Sequence, residues 1–136
     1  MENAPPDVLT CLRSWPEEAR DAFQTCRTTF HDVAEEAQLG ALDESLKWGQ
    51  PAWRPRRPRT GTTLRMSWDP ATPGYLQVFV GCKTDLAARM QHLYPDLPVN
   101  DGRRQMAVDL AAPLPGQALR HLAEMTFAYH LDRRRG

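Results

Sequence analysis

The chain has 136 residues, a mass of 15.5 kDa, 41% apolar side chains and a formal charge of zero. That is the size of one ordinary domain with enough apolar material for a single core, so neither a metal nor a disulfide staple is required. Neutrality argues against nucleic acid or a membrane as a partner of the chain as a whole, and no apolar run approaches the length of a membrane span.

The neutral total hides a segregation. Residues 1–46 carry ten acids and three bases, a net of −7, whereas residues 47–68 carry six bases and no acid. The N-terminus lacks a cationic start followed by an apolar run, so no secretory leader is expected. Cys11, Cys26 and Cys82 form no Cys-x-x-Cys pair. They read as free thiols of a cytoplasmic protein, with no zinc site.

Taken in chain order, a short helical turn over Asp7–Leu12 comes first. A long amphipathic helix follows in "SWPEEARDAFQTCRTTFHDVAEEAQ", where Ala19, Ala22, Phe23, Cys26, Phe30, Val33, Ala34 and Ala37 recur at three- and four-residue steps. Ser14 and Glu17 have the spacing of a capping box, and Gly40 is the expected stop. "ESLKWGQPAW" predicts a short strand, at an edge or ending early because of Gly49 and Pro51. "TTLRMSW" alternates Thr62, Leu64, Met66 and Trp68 against Thr63, Arg65 and Ser67, the period of a sheet with one buried face. The turn "DPATPG" leads to a further strand in "YLQVFVGC".

"KTDLAARMQHLY" predicts a helix capped by Thr84. "LPVNDGRRQMAVDL" predicts a hairpin turning at Asn100-Asp101-Gly102, with Met106, Val108 and Leu110 on one face. A last helix spans "PGQALRHLAEMTFAYHLDRRR", with Arg133–Arg135 at its C-terminal end, where cations suit the macrodipole. The order is helix, three strands, helix, two strands, helix. It predicts one two-layer α+β domain with a core over about residues 7–131, built on an antiparallel sheet of about five strands with helices packed on one face.

"ESLKWGQPAW" resembles the Glu-x-aliphatic-Lys-Trp-Gly-x-Pro-Ala-aromatic signature of the YdhG-like proteins, domain-of-unknown-function family 1801. "LRSWPEEAR", "TGTTLRM", "GCKTDLA", "NDGRR" and "FAYH" are similar to further motifs of that family, so the resemblance runs from about Asp7 to His130. At the hairpin the family's Gly-Asn-Arg is Gly102-Arg103-Arg104 here, which keeps the arginine position in Arg104 and loses the asparagine. The resemblance implies a largely uncharacterised family, some of whose members are described as frataxin-like iron chaperones.

Three candidate sites emerge. In the first, Trp48, Trp53 and Trp68 line a pocket with Arg65 available for an anionic group, although Trp68 also suits the core and Trp48 could anchor the bend there. Cys82 beside Lys83 and Thr84 at a helix start is a candidate thiolate. Arg104, Tyr129 and His130 complete that pocket by their motif positions, or form a hydrogen-bonded polar cluster. The second site is the acidic face of the long helix, Glu17, Asp21, Asp32, Glu35 and Glu36, whose oxygen ligands suit iron, with His31 as one possible nitrogen ligand. A solvated polar face explains the same letters. The third is Arg54, Arg56, Arg57 and Arg59, interleaved with Pro55 and Pro58: either a stiff exposed connector or a grip on single-stranded nucleic acid.

No glycine-rich phosphate loop, Gly-x-Ser-x-Gly or His-Glu-x-x-His motif occurs, which removes most support for the nucleotide-loop, serine-hydrolase and zinc-protease classes. The reading that results is a non-enzymatic module, monomer or homodimer, binding a small molecule or a protein without a cofactor. Iron delivery by the acidic helix is the alternative, and nucleic acid through the arginine segment the second.

Overall fold

A computed structural model of the chain describes residues 3–97 and 99–135. Met1, Glu2, Gly136 and Pro98, which falls in the predicted hairpin segment, lie outside them. Helices α1 (Pro6–Leu12) and α2 (Glu17–Glu36) open the fold, followed by strands β1 (Leu42–Lys47), β2 (Gln50–Pro55), β3 (Leu64–Trp68) and β4 (Tyr75–Phe79). Then come α3 (Leu86–Leu93), β5 (Val99–Asn100), β6 (Gln105–Asp109), α4 (Gly116–Phe127) and α5 (Tyr129–Arg135). The strands form one six-stranded antiparallel sheet in the order β1-β2-β3-β4-β6-β5. The two-layer α+β prediction holds, with six strands in place of five.

The extra strand comes from "ESLKWGQPAW", which folds into a hairpin rather than one strand. Trp48 and Gly49 both take left-handed backbone (φ 54° and 73°) and form its two-residue turn, with Lys47 opposite Gln50. Two positive φ values in succession match the right-handed twist of the flanking strands. Trp48 is therefore not an anchor in the core: the turn projects it into solvent, 89% exposed. The prolines are tolerated because β2 meets β3 only at Ala52 and Trp53, so Pro51 and Pro55 pair with β1 alone.

The core forms where α2, α3 and α4 cover the inward residues of the sheet. Phe23, Phe30, Leu64, Met66 and Val108 share one buried cluster, as their periodicities require. Its aromatic centre is Phe30, with ring centroids 5.1 Å from Trp53 and 6.3 Å from Phe127.

Two helix ends differ from expectation. Pro16 occupies the position before α2, and the Ser14 hydroxyl donates to the Cys11 carbonyl at 3.3 Å, so no capping box forms. At the other end, Gln38 (φ 57°) supplies the left-handed residue while Leu39 N–H reaches back to the Ala34 carbonyl at 2.9 Å. The helix thus stops before Gly40 by a Schellman-type closure. α3 also starts later than Thr84, at Leu86, whose N–H reaches the Thr84 hydroxyl at 3.4 Å. The Asn100-Asp101-Gly102 turn is present, held by the Asp101 carboxylate accepting from the N–H groups of Arg103, Arg104 and Gln105.

The last predicted helix is two. It breaks at Ala128 because the segment Thr60–Thr62 crosses it there. Thr62 N–H donates to the Thr126 carbonyl (2.9 Å), and the buried Thr60 offers its carbonyl to the N–H groups of His130 (3.1 Å) and Leu131 (3.2 Å). Gly61 lies between these bonds, where a Cβ would stand 2.7 Å from Phe127 Cα and closer still to its carbonyl. Only glycine permits so close a backbone approach.

Candidate functional site

The crossing at Gly61 sets the site. It brings the start of α5 against the end of β2 and the segment before β3, so Arg54, Arg59, Thr62, Thr63, His130 and Arg134 line one cleft of about 430 Å³. Arg59 is held in left-handed backbone (φ 59°), a conformation non-glycine residues rarely adopt, at the point where the chain turns into the crossing. Among the described residues no acidic side chain lines this cleft. Among the described residues, no carboxylate lies within ion-pair distance of Arg54, Arg59 or Arg134, whereas Arg56 pairs with Asp43 at 2.8 Å. Three arginines, a histidine and two threonines around one concavity supply the types of donor suited to an oxyanion.

The cleft opens beside the sheet face that no helix covers. Arg65 lies on that face, opposite Ala52 and Phe79, with its guanidinium 5.2 Å from the Phe79 ring centroid and a 2.9 Å hydrogen bond to Gln50 Oε1. Burial lowers its pKa from the ordinary arginine value, and the nearby Arg104 lowers it further. Two like charges thus lie close enough for one to disfavour the other. Thr62 and Thr84 both approach Gly81, whose carbonyl accepts from the Thr84 hydroxyl at 2.6 Å.

The fold divides the predicted pocket. His130 joins Arg54 and Arg59 in the cleft, Arg65 and Arg104 lie near each other at one end of the sheet, and the Thr84 hydroxyl donates to the Gly81 carbonyl. The other members lie elsewhere. Trp48 is at the hairpin tip, and Trp53 is fully buried. Trp68 packs partly against the core and donates to the Pro73 carbonyl at 3.0 Å. Tyr129 is buried and receives a 3.3 Å hydrogen bond from Arg133, while its ring meets His130 edge-on. Cys82 is exposed four residues before α3, and no hydrogen bond joins it to His130 among the described residues.

The cysteines differ sharply in accessibility. Burial pushes the Cys26 thiol up to about 12, and burial followed by the charge of Asp7 raises Cys11. In the folded protein Cys82 is expected to react rapidly with iodoacetamide, Cys11 slowly and Cys26 only on denaturation. Mass spectrometry of timed alkylation, read peptide by peptide, tests that order; early labelling of Cys26 would contradict the packing described.

The acidic residues of α2 do not act as one set. Glu17 and Asp21 are exposed in its first turns, and Glu36 pairs with Arg120 on α4. Asp32 and Glu35 border a second cleft of about 760 Å³ with His31, Arg27 and Glu44. Among the described residues no group of three or more His, Cys, Asp or Glu side chains is placed to hold a metal ion. Glu44 instead forms a buried ion pair. Its carboxylate takes 2.6 and 2.7 Å bonds from Arg27 and a 2.6 Å bond from Trp53 Nε1, with the His31 ring at 3.5 Å. Burial alone would raise its pKa, but His31, Arg27 and Trp53 together outweigh that and hold it at about 2.

Comparison with protein-family models, curated proteins and solved structures finds no match to this chain. The site therefore has to be read from its own geometry. Sequence inspection missed Arg134, Gly61 and the role of Glu44. The last had a signal: Leu42, Glu44 and Leu46 share one strand face, so an acid stands in an apolar row. No helix among the described residues is long and apolar enough to cross a membrane.

Proposed function

We propose that this protein is a non-enzymatic binding module, of the YdhG-like kind its motifs resemble, that holds a phosphate-bearing ligand in the cleft of Arg54, Arg59, His130 and Arg134. One observation carries the reading: three arginines, a histidine and two threonines line one concave site, with no carboxylate among its described lining residues. Clustered like charges repel, and a dianion that accepts several charge-assisted hydrogen bonds relieves that repulsion. Planar guanidinium groups also favour the paired oxygens of a phosphate over a simple halide.

Titration of the protein with inorganic phosphate and pyrophosphate, followed by amide chemical shifts, tests this. Saturable shifts are expected at Gly61, Thr62, Thr63 and His130. Arg59→Gln combined with Arg134→Gln should weaken pyrophosphate binding by tenfold or more. A flat titration at low salt overturns the reading.

A further inference from the structure

We infer that the cleft is one end of a longer track, and that its ligand is single-stranded nucleic acid lying across the open sheet face. This rests on the reading of the cleft as a phosphate site and extends it from a small anion to a polymer.

The track follows from strand register. Arg65 pairs with Ala52, and Arg54 lies two residues further along β2. The two arginines are therefore diagonal neighbours on one face, roughly 7–8 Å apart at their Cβ atoms. Arg65 stands opposite Phe79, and Phe79 opposite Gln105, while Arg104 just precedes β6 with its carbonyl accepting from Val80 N–H at 2.9 Å. From β2 to β6 is three strand spacings, about 14 Å in all. Arg54 and Arg65 thus step across the sheet from the mouth of the cleft, and the exposed Arg104 stands near Arg65 at the sheet's end, none with a carboxylate within ion-pair distance among the described residues.

Aromatic rings accompany these cations. Tyr75 and Phe79 lie on the same face of β4, both partly exposed, and the Arg65 guanidinium covers part of the Phe79 ring. Ring and guanidinium planes stack on unpaired bases whatever their sequence, while neighbouring cations hold the phosphates. The two acids on this face do not interrupt the line. Asp43 stands opposite Arg54 in the register but its carboxylate pairs with Arg56, and Asp109 stands opposite Tyr75, at the far end of β4 from Phe79. The neutral total charge argues against such a partner only as an average. The fold places the acidic polar side of α2 on the helix layer and the unpaired arginines at one end of the other face.

Fluorescence anisotropy with labelled single-stranded RNA and DNA of about ten nucleotides tests the inference. A duplex of the same sequence, a mononucleotide and pyrophosphate serve as competitors. The single strands are expected to bind at least tenfold more tightly than the mononucleotide, with affinity falling steeply as salt rises. Arg65→Gln and Arg104→Gln should each weaken the oligonucleotide several-fold and reduce the salt slope by about 0.7, while leaving pyrophosphate binding unchanged. Phe79→Ala should cost about tenfold for the single strand; because that residue supports the sheet face, the exposed Arg104→Gln provides the test that does not depend on folding. Equal affinity for the duplex, or an oligonucleotide no tighter than a mononucleotide, overturns the track and leaves the phosphate cleft standing. Failure of pyrophosphate and oligonucleotide alike overturns both.

Discussion

Gly61→Ala is expected to destabilise the protein by at least about 3 kcal/mol, the cost of forcing apart two backbones that cannot both stay in place. The new Cβ would meet not a flexible side-chain end but the Phe127 main chain at the break between α4 and α5. The three hydrogen bonds that join Thr60 and Thr62 to that junction would have to lengthen together. Because the same crossing sets His130 and Arg134 beside Arg59, the variant should lose pyrophosphate binding as well as stability. Gly116→Ala is the matched control: that residue begins α4 with open space around it, so alanine there should leave stability unchanged or raise it by up to about 1 kcal/mol. Urea denaturation of both variants decides the matter. A Gly61→Ala protein as stable as the parent would mean that the crossing is not as close as described.

Glu44→Gln is expected to cost about 3 kcal/mol, because it leaves Arg27 facing a neutral amide in a place where water is largely excluded. The pH dependence gives a second, independent signature. The carboxyl is held at about 2 in the folded protein, against an ordinary value of 4.5. Between those values the unfolded chain binds a proton that the folded chain does not, so stability rises with pH across that window. The contribution is fully present above about 4.5 and is lost as the pH falls through about 2. Stability curves from pH 6 down to pH 2 should therefore fall more steeply for the parent than for Glu44→Gln. Parallel curves would mean that the ion pair does not form.

The elements legible in the sequence were those whose signal is local. Phe23, Phe30 and Val33 recur at helical spacing, and Leu64 and Met66 alternate, so the core and both layers could be placed from periodicity alone. The hairpin at Trp48-Gly49 was hidden because tryptophan is not a residue that usually marks a left-handed turn. The break at Ala128 was hidden for a different reason: nothing in "MTFAYH" disfavours a helix, and the interruption comes from Thr60–Thr62, more than sixty residues earlier in the chain. The candidate site divides in the same way. Its arginines stood out as letters, but which of them share a cleft depends on that long-range crossing. So Arg59 parted from Arg56 and gained Arg134, which the helix pattern had assigned to the macrodipole.

The Glu44 ion pair has a consequence outside stability. β1 is one of the two outer strands of the sheet, and an outer strand offers its unpaired main-chain groups to any extended segment that drifts past. A well-fitted apolar residue at position 44 could hold the core about as well as the ion pair does. It would also make the inward row of β1 wholly aliphatic, from Leu42 to Leu46, and remove an inward charge from this border. With Arg27 and His31 reaching over from α2 to an inward-pointing carboxylate, the border is fenced by charge. An inward-pointing charge on an edge strand works against the side-by-side addition of further copies, the first step towards insoluble fibres.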